Sequence, residues 1–413
     1  MHLLVVTQYF WPETFRINDL VEGFVARGHT VTVLTGRPNY PEGKLYDAYR
    51  SDPAAFDSYH GARVLRVPLR PRGQGKVRLL LNYWSFVFWA VFLGPWLLRR
   101  ARYDAIFMFE SSPITSALPA VFLRWWYRVP MVMWVLDLWP ETLSAVGIVR
   151  SPFLLGLVGR LVSFIYRRCD LVLAQSRAFF GNIERWSGDT TRVRYFPGWA
   201  EPIFTGDLNS VEPARETDPY AGTFNVMFAG NIGTAQDFPA IIDACNRLRH
   251  RDDIRFLIVG DGRAAADARA AVDERGLGER MIFLGKHPIE RMPSFFRAAG
   301  ALLVSLKSEP IFSLTIPGKV QPYLATGIPL IGMLDGEGAR VIDEAGAGFT
   351  CPAGDGEALA RVVSRMADLD ASDRDRIGLR GREYGRREFD RDMLFGRLEG
   401  WLEDLIAGRP PGG

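Results

Sequence analysis

Apolar strand-like runs alternate with longer helical patterns along the whole chain, a rhythm that admits little besides parallel sheets covered by helices. In the first half LLVVT (3–7), TVTVLT (30–35), VLRV (64–67), AIFMF (105–109), MVMWVL (131–136) and LVLAQS (171–176) read as strands. The rhythm stops at AEPIFTGDLNSVEPARETDPYAG (200–222), which is polar, proline-bearing and aperiodic. It resumes with FNVMFAG (224–230), IRFLIVG (254–260), MIFLG (281–285), ALLVSL (301–306) and IPLIG (328–332). Because 413 residues exceed what one core usually organises, the expectation is an α/β chain of two doubly wound, Rossmann-like domains with an interdomain cleft. The expected limits are 1–205 for the first domain, 206–222 for a linker, 223–388 for the second domain, and 389–413 for a closing helix and tail.

The net charge of +3 is unremarkable, but no Asp or Glu occurs between Asp57 and Asp104. That interval holds Arg63, Arg66, Arg70, Arg72, Lys76, Arg78, Arg99, Arg100 and Arg102 around LLLNYWSFVFWAVFLGPWLL (79–98). The apolar run is long enough to span a bilayer, yet Asn82, Ser85, Gly94 and Pro95 interrupt it and both flanks are basic. A helix lying in the interface of an anionic membrane fits this pattern, with arginines at head groups and aromatics at the acyl boundary. A buried helix of the first domain is the competing reading. Nucleic acid is excluded as a partner, since the basic residues are interleaved with apolar runs and no recognition helix or stacking motif accompanies them. Cys169, Cys245 and Cys351 form no CxxC pair, which suggests neither disulfides nor zinc and points to a reducing cytosol. The start, MHLLVVTQYF, carries no export-signal pattern.

Open α/β sheets bind ligands outside the carboxyl ends of their strands, so the loops there are where chemistry is expected. Gly260-Asp261-Gly262 with Ala265 is a GxGxxA stretch, but the next strand ends in MIFLGKH with no acid for a nicotinamide ribose. Three DxD triplets (368–370, 373–375, 390–392) sit among charged late helices and read as solvated surface, so no metal site is expected. The second half offers more. After ALLVSL come Glu309-Pro310, a loop through Ile311, Phe312, Ser313 and Leu314, and then Pro317-Gly318-Lys319 at an expected helix start. Exposed amides plus a lysine make a phosphate site. Gly230-Asn231-Ile232-Gly233, followed by Gln236, forms a second glycine turn that lets backbone approach a ligand closely. Together these loops describe a nucleotide-diphosphate pocket with Glu309 near sugar hydroxyls.

WPET occurs twice, at 11–14 and 139–142, each time after a strand of the first half. The flanks differ, so this is no duplicated unit. Proline and glutamate suit a helix start, and the expectation is two rims of one acceptor site: Trp11 and Trp139 flanking a sugar or lipid head, Glu13 and Glu141 meeting hydroxyls. Asp137 either meets a ligand hydroxyl or caps the next helix.

YFWPE, DLWPE (137–141), AGNIG (229–233), VGDG (259–262), EPIFSLTIPGK and YLATGIP (309–329) together resemble the GT-B glycosyltransferases of family 4, most closely the bacterial O-antigen and colanic-acid type. The likeness covers nearly the whole chain. It implies an acceptor-binding first domain, a nucleotide-sugar-binding second domain, and retaining transfer of a hexose without a metal or other cofactor. The donor implied is a UDP-sugar. The implied acceptor is a polyprenyl-diphosphate-linked saccharide, with the enzyme peripheral on the cytoplasmic face of the inner membrane. Lys319, Glu309 and Asp137 are then the catalytic candidates. Gly230, Asn231, Gly233, Gln236, Gly260, Gly262, residues 311–314 and Gly318 are the donor-binding ones. Two positions depart from the family pattern: Pro322 stands where a second glutamate is common, and Gln236 where a phosphate-binding base is common. A sugar-nucleotide epimerase or hydrolase on the same fold, and a non-catalytic sugar-nucleotide-binding subunit, are the alternatives; oligomeric state is open.

Overall fold

The computed structural model describes residues 1–73, 75–145, 149 and 151–412, with the side chains of Lys76 and Ala145 outside the description. It divides into two compact units, Met1–Phe196 with Asp392–Gly413, and Pro197–Arg391.

The first unit is built on an eight-stranded sheet. Its strands are β1 (His2–Val6), β2 (Thr30–Gly36), β3 (Ser58–Tyr59), β4 (Ala62–Val67), β5 (Ala105–Glu110), β6 (Met131–Val135), β7 (Leu171–Ala174) and β8 (Val193–Tyr195). They are ordered β3-β4-β2-β1-β5-β6-β7-β8. Only the β3–β4 pair is antiparallel. Strands β1, β5 and β6 are buried throughout or nearly so, which is why they read as unbroken apolar runs rather than as alternation.

The second unit has six parallel strands: β9 (Phe224–Ala229), β10 (Ile254–Val259), β11 (Met281–Gly285), β12 (Ala301–Ser305), β13 (Leu330–Met333) and β14 (Gly348–Cys351). Their order is β11-β10-β9-β12-β13-β14. Three strands went unforeseen, namely β3, β8 and β14. All lie at sheet edges, where short, partly exposed segments carry little apolar signal.

Two expected boundaries shift. The stretch expected as a linker, 206–222, folds onto the second unit. Ala214 N–H donates to Ser294 O at 3.0 Å, Thr217 is buried, and Glu216 receives both terminal nitrogens of Arg291 at 2.8 Å. These partners lie some 75 residues away, beyond any local pattern. The closing helix, Arg391–Ile406, folds with the first unit. It buries Leu394, Phe395, Leu398, Trp401 and Leu402, bringing Phe395 to Phe24 at 6.0 Å and Trp401 to Phe196 at 6.2 Å. Glu399 meets His29 at 2.6 Å and Arg27 at 3.3 Å. Phe395→Ala should therefore cost the first unit about 3–5 kcal/mol. Urea denaturation followed in that unit checks it, and an unchanged midpoint would show that the tail is dispensable.

Candidate functional site

In the second sheet, β9 leads to β10 and β11 on one side while β12 leads to β13 and β14 on the other. The carboxyl ends of β9 and β12 therefore flank the switch point where open sheets leave room for a ligand. The loops after β9 and β10 are laced by backbone hydrogen bonds: Gly230 N–H to Val259 O (2.8 Å), Ile232 N–H to Asp261 O (2.9 Å) and Ala264 N–H to Ile232 O (3.0 Å). This contact explains the two glycines of the GxG stretch. A Cβ on Gly260 (φ +146°) would lie 1.9 Å from Gly230 O, and one on Gly262 would lie 2.3 Å from Ile232 O. Gly230, Asn231, Gly260 and Gly262 line a cavity of ≈ 470 Å³ together with Lys286 and His287. Gln236 serves a different purpose from the one expected. Its side-chain oxygen accepts Gly233 N–H at 3.0 Å and its carbonyl accepts Ser305 Oγ–H at 2.7 Å, so it closes the loop instead of facing a phosphate.

Lys319 reaches the same strand end from the other side. Pro317-Gly318-Lys319 make a turn, with Val320 N–H donating to Pro317 O at 2.9 Å, and the helix begins only at Val320 (Val320–Thr326). The lysine stem passes under Gly230 (φ +130°), where a Cβ would stand 2.9 Å from Cε. Its Nζ lies 3.3 Å from the centre of the Phe228 ring, closed off from solvent and without a hydrogen-bond acceptor. Burial pushes the ammonium down to about 7. One helical turn later, the Tyr323 hydroxyl donates to Ala229 O (3.0 Å) and accepts from Ala229 N–H (3.1 Å), locking the helix to the end of β9. A desolvated cation against an aromatic face is a group that an anionic partner would stabilise strongly.

Glu309 precedes the short helix Pro310–Ser313 and is exposed, as is Gly318, while Ile311, Phe312, Ser313 and Leu314 are half-buried. Gly336 (φ +70°) backs this loop, since a Cβ there would meet Ser313 O at 2.0 Å. Pro322 is buried within its helix and offers no carboxylate. The DxD aspartates are spent elsewhere: Asp368 pairs with Arg251 at 2.8 Å, Asp370 accepts Asp373 N–H at 2.7 Å, and Asp392 meets Arg27 at 3.3 Å.

The switch point of the first sheet lies between β1 and β5. Here stands a residue that sequence reasoning passed over. Glu110 ends β5, is fully buried, and accepts Ser112 N–H at 3.2 Å and Asp137 N–H at 3.4 Å. Desolvation, reinforced by the neighbouring Asp137, raises its pKa well above the ordinary range, and desolvation raises Asp137 as well. A lone carboxylate closing an apolar strand was the available signal. The helix after Asp137 begins at Glu141, so Asp137 caps nothing. Asn82, an interruption in the apolar run, is also buried. It accepts from Gln8 Nε2 (2.8 Å) and the Tyr9 hydroxyl (3.2 Å) and donates to Arg70 O (2.6 Å).

The WPET side chains diverge from this point instead of framing it. Glu13 turns inward and accepts the amides of Phe10 (3.1 Å), Asn39 (2.7 Å) and Tyr40 (2.6 Å). Trp11 packs on Phe56 and Tyr59 toward the β3 edge at 4.8 and 5.4 Å. Glu141 accepts Trp186 Nε1–H at 3.2 Å on helix Phe179–Ser187, toward the other edge, and Trp139 is buried. The expectation of two convergent rims is corrected. Glu13 thus satisfies three backbone donors, two of them from the loop after β2, and Glu141 one indole donor of a neighbouring helix.

Burial pushes Glu13 up to about 7. Since Glu13, Glu110 and Asp137 all ionise at higher pH folded than unfolded, the folded unit holds protons that the unfolded chain has released. Stability is therefore greatest below the ordinary carboxylate pKa and falls as pH rises through about 7, by roughly 3 kcal/mol for Glu13 alone. Glu13→Gln and Glu110→Gln should each flatten that slope in urea denaturation between about pH 5 and pH 8, and a flat wild-type profile would contradict it.

Two family models match the chain, a glycosyl transferase 4-like domain over residues 14–199 and glycosyl transferases group 1 over residues 223–368. A probable glycosyltransferase WbjE of Pseudomonas aeruginosa is 26% identical over 302 residues, covering 72% of this chain and 74% of its own. The putative colanic acid biosynthesis glycosyl transferase WcaI of Escherichia coli (strain K12) is 24% identical over 352 residues, covering 79% and 82%. In fold, Anabaena HepE, solved in complex with UDP and glucose, superposes with a TM-score of 0.69 at 16% identity, over 98% of this chain and 100% of that one. Two parallel-sheet units, matched in turn by these two models, make this chain a glycosyltransferase of the GT-B type, belonging to the family-4-like group.

Proposed function

We propose that this enzyme transfers a hexose from a UDP-sugar to a polyprenyl-diphosphate-linked saccharide in bacterial surface polysaccharide synthesis, with retention at the anomeric carbon. The observation that carries the reading is the buried, acceptor-free ammonium of Lys319 beside Gly230 at the second sheet's switch point. UDP bound by Anabaena HepE and the colanic acid assignment of WcaI support the donor and the pathway class.

The chemistry follows from where charge develops. As the bond from the anomeric carbon to the phosphate oxygen breaks, its electron pair goes to the departing diphosphate, and a preorganised cation aimed there lowers the barrier. On this reading Lys319, poised near neutrality, gains its proton firmly when the anion arrives, so no external metal is needed to hold the charge. The acceptor hydroxyl forms the new bond on the face the phosphate leaves, and its proton passes to the phosphate oxygen. The sugar is oxocarbenium-like in between. The first unit receives the acceptor, with Asp137, held by its amide to Glu110, orienting the hydroxyl. Glu309, exposed after β12, meets donor sugar hydroxyls. The acid-free segment 76–102 rests peripherally on the cytoplasmic face of the inner membrane, where a polyprenyl carrier resides.

A panel of nucleotide sugars, assayed with and without a detergent-solubilised polyprenyl-diphosphate sugar, tests this through release of nucleoside diphosphate. Turnover should require the lipid acceptor and prefer a UDP-sugar, and Lys319→Ala should lower kcat/KM by about 10²–10³. Full-rate turnover of donor alone would instead identify a hydrolase or epimerase.

A further inference from the structure

Four helices of the first unit share one face of its sheet; the one at its edge, Phe179–Ser187 between β7 and β8, exposes Glu184 and Arg185, and the other three turn apolar residues outward. Helices Lys76–Leu98, Leu118–Tyr127 and Pro152–Tyr166 connect β4 to β5, β5 to β6 and β6 to β7. All three crossovers step in the same direction along the strand order, and right-handed connections then put all three on the same side. The first packs against the second, and Arg124 of the second reaches Asp170, just past the third, at 2.7 Å.

What these helices turn outward is apolar. The long helix buries Phe86, Ala90 and Leu98 on the sheet while Trp84, Phe88, Phe92 and Trp96, each four residues apart, form an exposed line on its outer side. Most residues of Val77–Leu98 lie outside the core. The second helix exposes Trp125 (69%) and Trp126 (54%), and the third exposes Phe153 (79%) and Leu157 (56%). A patch of this extent marks an interaction surface. The expected interface segment, read in the sequence as one helix, is thus one of three.

Charge selects the occupant. None of the three helices contains an Asp or Glu. Arg99 lies over the Trp96 ring at 4.1 Å and Arg168 over the Phe164 ring at 3.6 Å, while Arg100 and Arg160 are exposed. Among the described residues none of these four has a carboxylate partner. A second copy of the chain seated on these three helices would oppose arginine to arginine with no acid of theirs to separate them. Anionic head groups would neutralise them, and the aromatics suit the boundary between head group and acyl chain.

We infer that the three helices together form the docking plane for an anionic lipid bilayer, an inference that rests on the lipid-acceptor reading above. One consequence is built into the long helix. Its sheet side carries Asn82, bonded to Gln8, Tyr9 and Arg70, and Ser85, whose Oγ accepts Arg70 N–H at 2.9 Å. Loops at the carboxyl ends of β1 and β4 are thereby fixed at a set height above the membrane plane.

The test is flotation of the full chain with vesicles of phosphatidylglycerol and phosphatidylethanolamine, with neutral phosphatidylcholine vesicles as control. Trp125→Gln with Trp126→Gln, and Phe153→Gln with Leu157→Gln, should each weaken binding to the anionic vesicles by about tenfold or more. Ile289→Gln, an exposed apolar residue of the second unit, should not. Circular dichroism and nucleotide binding confirm that the variants fold. If Phe92→Gln with Trp96→Gln alone abolishes binding and the other two pairs have no effect, the three-helix plane is overturned while a membrane enzyme stands. If no variant affects vesicle binding but the same pairs abolish a concentration-dependent dimer, the occupant is a second copy and the inference falls. Wild-type chain that never floats with anionic vesicles would overturn both.

Discussion

The second unit is organised around one unsatisfied cation. The ammonium of Lys319 has given up water for the face of Phe228 and has no acceptor in reach. Such a group is costly unless something charged completes it. Neighbouring features make the placement possible: Gly230 lacks the Cβ that would strike the lysine stem, Gly260 lets the two strand ends touch, and Tyr323 bolts the helix to β9. Gln236 closes the loop in front. The result is preorganisation, with the lysine placed and stripped of water in folding instead of at the moment of reaction.

The first unit uses the opposite sign at the corresponding topological position. Glu110 and Asp137 sit at adjacent strand ends, where burial and mutual repulsion favour holding a proton between them. The Glu110 carboxylate also ties down the amides of both loops it touches. A cationic pocket thus stands at the switch point of one sheet and proton-holding carboxylates at that of the other.

Much of this was legible in the sequence. Eleven strands appeared as apolar runs because parallel strands are buried on both faces, and the glycine turns with Lys319 fell after strands, where backbone approach is needed. Partnership was not legible. Glu13 and Glu141 carry the residue type expected of a hydroxyl ligand, but Glu13 accepts the amides of Phe10, Asn39 and Tyr40, and one oxygen of Glu141 accepts the indole N–H of Trp186. Gln236 was likewise committed to its own loop. Glu110 escaped notice, and Asn82 read only as an interruption, because a single polar residue in an apolar run shows its part only through its hydrogen bonds. The helix 391–406 returned to the first unit through contacts with Phe24 and Phe196, over separations that no local pattern encodes.

Proton uptake on binding UDP tests the central claim most directly. With its ammonium near 7 in the free enzyme and raised by an adjacent diphosphate, Lys319 is mostly neutral at about pH 8 before binding and charged after it. Isothermal titration at that pH in buffers of different ionisation enthalpy should report nearly one proton taken up per UDP, with affinity falling as pH rises further. Lys319→Met should abolish the uptake. Tight UDP binding with no proton uptake, or with uptake unchanged in the variant, would contradict the assignment of this lysine to the diphosphate.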